Sequence, residues 1–252
     1  MDHPEAVLRL VVAYDGTDFR GFAAQRNQPG IRTVAGELAG ALTRVLRTDA
    51  VLTGAGRTDA GVHAWGQVVS LPVPPDTDGV RVARAVNRML GPEIVVREAA
   101  VVPGGFDARH SATWRHYRYT VLNRPVADPF SARYAWWVPE PLDPARLRLA
   151  ADPFVGEHDF ASFCRKGAEG TTTVRRVFLS EWIDAGDGEL RYEIRANAFC
   201  WQMVRSIVGT IVEAGLGVRP PGAMLATLRA CDRAAAGRPA PPHGPCLRAV
   251  GY

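Results

Sequence analysis

The stretch Val51-Leu52-Thr53-Gly54-Ala55-Gly56-Arg57-Thr58-Asp59-Ala60-Gly61-Val62-His63-Ala64 runs from one β-like segment through a glycine-flanked turn into another. Val51-Leu52 starts a strand that enters Gly54-Ala55-Gly56, and Val62 to Leu71 reads as the next strand. Toward the N-terminus, Thr33 is placed to cap a helix reaching about Arg47, with Leu38, Leu42, Val45 and Leu46 along one side. Before it, Val7 to Tyr14 reads as a strand closed by the turn signal Asp15-Gly16-Thr17. On the other flank come a helix over residues 81–90 and a strand from Val95 to Val102.

Past Gly104-Gly105, His110 to Leu122 is rich in aromatic and β-branched residues and reads as a strand. A proline-punctuated stretch, 125–144, leads to a helix over Pro144 to Ala151. Arg175 to Ile183 and Glu189 to Ala198 form a hairpin pattern around Asp187-Gly188, in which Tyr192, Ile194 and Ala196 alternate with Arg191, Glu193 and Arg195. Met203 to Leu216 is a helix apolar on most of its surface, stopped by Gly217 and Pro220. Gly222 to Cys231 is another helix, and a Pro-rich loop at 239–245 precedes a last short strand, Cys246 to Tyr252. Strands and helices mix without strict alternation. The pattern predicts an α+β fold of two α/β halves with largely antiparallel sheets, residues 1–104 and 105–252.

Composition narrows the class. Of 252 residues 47% are apolar and 22% charged, with a net charge of +4, which excludes disorder as the main state and allows a buried core. The longest stretch without Asp, Glu, Lys or Arg, Ala60 to Pro75, contains His63, Gln67 and Pro72, so no membrane span is expected. The opening Met1-Asp2-His3-Pro4-Glu5 has neither a basic region nor an apolar one, so no secretory signal is expected. Cys164, Cys200, Cys231 and Cys246 form no CxxC pair, and read as reduced thiols of a cytoplasmic protein. Of the 30 cationic residues only Lys166 is lysine. Arginine suits phosphate and stacks on bases, but the same bias follows from GC-rich coding, so it only hints at nucleic acid.

The Gly54–Ala64 turn fits none of three familiar motifs. A dinucleotide GxGxxG would need glycine at Asp59, and a P-loop would need lysine at Val62. A zinc deaminase would need a second cysteine at Ala249, after Pro245-Cys246. No other Cys/His spacing suggests a metal site. What remains is an acid between glycines with a guanidinium nearby. A carboxylate with a reference pKa near ~3.9 is ionised at neutral pH, and a neighbouring cation favours that form, so Asp59 is suited to act as nucleophile or base. A turn-capping Asp59 with Arg57 in solvent gives the same spacing.

Residues 56–64, Gly-Arg-Thr-Asp-Ala-Gly-Val-His-Ala, resemble the signature of the tRNA pseudouridine synthase A family. The likeness extends through Ala13-Tyr14-Asp15-Gly16-Thr17, Phe19, Gly21, Gln25 and Thr33-Val34 near the start. It continues through Phe106, Ala108-Arg109, Arg115, Tyr117, Tyr119 and Asn123. Further on come Phe154, Gly156, His158-Asp159-Phe160 and Ser162-Phe163, then Phe199, Met203-Val204-Arg205 and Gly209, with Pro241, His243 and Gly244 near the end. Two positions depart: Phe22 stands where the family has tryptophan, and Pro245 where it has leucine.

The resemblance implies two α/β halves meeting at a central active-site cleft, and conversion of uridine to pseudouridine at tRNA positions 38, 39 or 40 without cofactor or metal. It implies Asp59 as the essential aspartate, attacking the sugar C1′ or the base C6, or acting as a base at C2′. Tyr117 is implied to stack on the target base. Arg57 would hold Asp59 ionised and occupy the stack left by a flipped nucleotide. Arg205 would pair with Asp59 or bridge to an unrelated acid. His63 and His158 read as structural hydrogen-bonding groups. A tRNA partner and a homodimer are implied as well, with the apolar helix Met203 to Leu216 a possible subunit face.

Overall fold

Alternating apolar residues and well-placed caps dictate the elements of this computed structural model, which describes residues 5–24, 30–165 and 172–252. The first half of the chain forms β1 (Ala6–Tyr14), α1 (Val34–Leu46), β2 (Thr53–Gly54), β3 (His63–Val73), α2 (Gly79–Leu90) and β4 (Ile94–Pro103). The rest forms β5 (Trp114–Asn123), β6 (Trp136–Val138), α3 (Pro144–Ala151), β7 (Gly156–Asp159), β8 (Val174–Gly186), β9 (Glu189–Ala196), α4 (Met203–Gly215), α5 (Ala223–Ala230) and β10 (Pro245–Gly251). Two units result. One holds the chain up to Thr113 together with Leu247–Tyr252, and the other holds Trp114–Cys246. The mostly antiparallel sheets and five helices make this an α+β fold, as the sequence predicts.

In the first unit β4, β1 and β3 lie side by side, all antiparallel, with β10 beyond β3. Leu8 and Leu10 of β1, with Leu38 and Leu42 of α1, are completely buried. Each contributes about 1.5–3 kcal/mol of burial. Thr33 caps α1 by accepting from Gly36 N–H at 3.2 Å, and Asp78 caps α2 by accepting from Arg81 N–H at 2.9 Å. The strand expected from Val51 is confined to Thr53–Gly54, paired with Ser70 and Val69.

In the second unit β5, β9, β8 and β7 run in that order, with β6 parallel to β5. β5 starts at Trp114, four residues later than its composition suggests. The reason is Asp107: its carboxylate accepts from the N–H groups of Arg109 and His110, both at 2.7 Å, which holds the preceding residues in a turn. Alternation also puts Glu193 on the polar side of β9, yet it is 4% exposed. It is buried because Arg118, its cross-strand partner on β5, donates from Nε to one carboxylate oxygen, and His116 Nε2 lies 2.8 Å from the other at a poor hydrogen-bonding angle.

Helix α4 buries eleven of its thirteen residues inside its own unit. At Gly215 there is room only for a hydrogen, since a Cβ would come within 2.7 Å of Leu147 on α3. The apolar surface that sequence offers as a subunit face is thus filled from within. Among the described residues no helix is long and apolar enough to cross a membrane.

Candidate active site

The turn carrying Asp59 is fixed by its backbone at both ends. Ala55 N–H donates to Val68 O at 2.8 Å, and Gln67 Nε2 donates to Gly56 O at 2.8 Å, tying the entry of the turn to β3. Thr58 is buried, its hydroxyl 2.8 Å from the phenol of Tyr14 and its carbonyl accepting from Phe22 N–H at 3.1 Å. Val62 N–H closes the turn on Asp59 O at 3.1 Å. These anchors hold Thr58, just before Asp59, and Val62, three residues after it; Asp59 itself is half-buried and Arg57 exposed.

Close approach explains two of the glycines. A Cβ on Gly16 would sit 2.0 Å from Val62 O, and one on Gly21, whose φ is +94°, would sit 2.9 Å from Thr58 O. The 14–22 segment therefore presses directly against the peptide planes flanking Asp59, and only glycine permits it. Phe22 belongs to the same packing: it is buried, stacks with Tyr14 at 6.2 Å between ring centroids, and fills the space above Gly54. Its departure from the family pattern is thus a matter of core packing.

His63 is buried, and its Nδ1 accepts from Gly16 N–H at 3.0 Å. Asp15 Oδ1 lies 3.2 Å from the same nitrogen but accepts from Thr17, from its N–H at 3.0 Å and its hydroxyl at 2.6 Å. The ring is a strut between the two loops. His158 Nε2 lies 3.0 Å from Val155 O, a local backbone contact. Arg57 forms no hydrogen bond or ion pair with its side chain among the described residues. Gln25, part of the opening motif, lies outside the described residues.

The second unit holds Tyr117 and Arg205. Tyr117 and Tyr119 share a face of β5 but differ in surroundings. Tyr117 is 9% exposed and meets Phe199 edge-on at 5.0 Å. Tyr119 is fully buried, donates its hydroxyl to Pro241 O at 2.9 Å, and has Gly244 flat against its ring. Burial pushes its phenol well above the ordinary value, with nearby Arg205 pulling weakly the other way. Arg205 is half-buried; its Nε donates to Ala240 O at 2.7 Å, and its own carbonyl accepts from Ala240 N–H at 2.9 Å. Among the described residues no three of His, Cys, Asp and Glu are grouped as a metal ion would need.

A family pattern described as tRNA pseudouridine synthase matches residues 10–110 and 150–252. The chain belongs to that family. Several relatives named tRNA pseudouridine synthase A match it over nearly full length. The protein of Syntrophotalea carbinolica is 40% identical over 247 residues, covering 98% of this chain and 96% of that one. That of Brevibacillus brevis is 43% identical over 245 residues, covering 97% and 99%, and that of Halalkalibacterium halodurans 44% over 241, covering 93% and 88%. As a pseudouridine synthase the chain is an isomerase. Arg57, Asp59 and Arg205 fall inside the matched segments, and Tyr117 falls between them. The supports of the turn, Tyr14 and Gln67, carried no such signal as supports in sequence, since each acts from a distant position in the chain.

Proposed function

We propose that this protein isomerises uridine to pseudouridine in the anticodon arm of tRNA, at positions 38, 39 or 40, with Asp59 as nucleophile. The observation that carries the reading is the fixed turn. Bonds to Thr58 and Val62 set the backbone of Asp59 before substrate arrives, which supports a role for its carboxylate. Such preorganisation lowers a barrier because the orienting entropy is lost during folding rather than in the reaction. The names of the relatives support tRNA as the substrate.

In the reaction the bond from N1 to C1′ breaks, the base turns, and C5 bonds to C1′. C5 loses a proton and N1 gains one, so composition is unchanged and water is not consumed. Asp59 attacks at C1′ or C6, splitting one hard step into two easier ones. A stacked uridine must be flipped out first, at about a few kcal/mol. Exposed Arg57 fills the vacated stack, and Tyr117 stacks on the extruded base. The enzyme works without cofactor or metal, in the cytoplasm, as a homodimer.

Mapping pseudouridine in tRNA from cells with and without the gene tests the reading. Loss confined to positions 38–40 is expected. Retention of all three modifications would refute it.

A further inference from the structure

The first unit carries a second arrangement of arginines, away from the turn. Trp65 of β3 is 47% exposed. The Arg97 guanidinium of β4 stacks on its indole with Cζ 4.1 Å from the ring centroid, and Arg248 of β10 lies 5.7 Å from the same centroid. Arg97 also donates to Trp65 O at 3.0 Å. Arg9 of β1 lies 5.8 Å from the ring of Tyr252, which rests on Phe106 at 4.9 Å and donates to Ala108 O at 3.0 Å.

Strand register puts these groups on one face. Leu8 points toward α2, where a Cβ on Gly79 would meet it at 3.2 Å, so alternation sends Arg9 and Val11 to the opposite face. Ala64 pairs with Tyr14, on the helix side, so Trp65 joins Arg9 and Val11. The irregularity between Val11 and Val12 opposite β4 admits Arg97 as the extra residue between Val96 and Glu98. Beneath them Val11, Val68, Ala108 and Ala55 pack together, and Ala55 belongs to the turn that carries Asp59.

Carboxylates do not neutralise these cations among the described residues. Arg32, Arg118, Arg124 and Arg219 are each paired with a carboxylate. Among the described residues Arg9, Arg97 and Arg248 pair with none. Glu98, opposite Val11, places one carboxylate on the same face. A guanidinium lying flat on an aromatic ring has its plane fixed and its N–H edges turned outward, which suits phosphate oxygens. Excess cationic charge on donors already ordered matches a polyanion.

We infer that this face grips the phosphate backbone of the substrate RNA, with Trp65 as the platform that orders Arg97 and Arg248. The inference rests on the RNA substrate proposed above. The test is equilibrium binding of transcribed tRNA to the Arg97→Ala/Arg248→Ala full-length variant across a salt series. Affinity is expected to fall about tenfold or more, and the slope of log K against log salt to shrink by about 2, one for each lost phosphate contact. The loss should fall on affinity more than on turnover at saturating tRNA. An unchanged affinity and slope would overturn the inference. So would a smaller species in sedimentation with the slope intact, which would make the face a contact between copies. Should the double variant not fold, Glu98→Gln carries the test, because this exposed carboxylate pairs with nothing among the described residues. It should tighten tRNA binding by about twofold to threefold at low salt, and unchanged binding would again overturn the inference. Binding is read without turnover, so a changed slope alongside pseudouridine retained at positions 38–40 in cells lacking the gene would sink the proposed reaction and leave this face standing. The converse result would sink this face alone.

Discussion

Two carboxylates, Glu193 and Asp59, are held in different ways by the chain around them. Glu193 sits within a sheet at 4% exposure, clamped by Arg118 and His116. Burial pushes its carboxyl upward, and neighbouring His116 and Arg118 outweigh that, holding it below the usual range. Asp59 sits half-buried in a turn whose backbone is fixed on both sides. The sheet holds the first acid by its carboxylate, and backbone bonds on both sides set the peptide frame of the second.

Four variants break or sharpen this contrast. Gly16→Ala should have the largest effect, because its Cβ would displace Val62 O, 2.0 Å away, and the turn with it. A shift of about 1 Å at a reacting group costs on the order of 100-fold, so turnover should drop by that factor while tRNA affinity changes little. Single-turnover kinetics beside a binding isotherm would read it, and full activity would mean that the fixed backbone is irrelevant. Glu193→Gln should leave turnover unchanged and lower stability by about 2 kcal/mol, as expected for losing buried charged hydrogen bonds. The pH dependence has a definite sign. Since the folded carboxyl titrates below its unfolded value, its contribution is present above about pH 4.5 and fades as pH falls through the lower folded value. Urea unfolding between pH 3 and 7, on the order of one point per half unit, should show wild type losing this stability and Glu193→Gln lacking that part of the slope. The smallest effect is expected for Tyr119→Phe, which removes the 2.9 Å bond to Pro241 O and should cost about 1 kcal/mol with turnover retained. Tyr117→Phe, two residues away, should instead slow turnover, read in the same single-turnover assay.

Much of this was legible in sequence where the signal is local. Thr33 before an amphipathic run, Asp187-Gly188 between alternating strands, and Gly217 after α4 each mark an element within a few residues. Strands β6 and β7, of three and four residues, are too short to show a period, and they form only because β5 and β8 offer them edges. Glu193 was misplaced because its partner lies 75 residues away in sequence. The candidate site divides the same way. The motif around Asp59 stands out in the chain, whereas the contacts of Tyr14 with Thr58 and of Gly16 with His63 span 44 and 47 residues. Arg97 on Trp65 is another contact that register alone creates.

The most direct measurement is tritium release from tRNA labelled at uridine C5, compared between wild type and Asp59→Asn, with tRNA affinity measured on the same preparations. The expected result is release reduced to background with affinity within a few-fold of wild type. Wild-type release from the Asn variant would contradict the assignment of Asp59 as the attacking group.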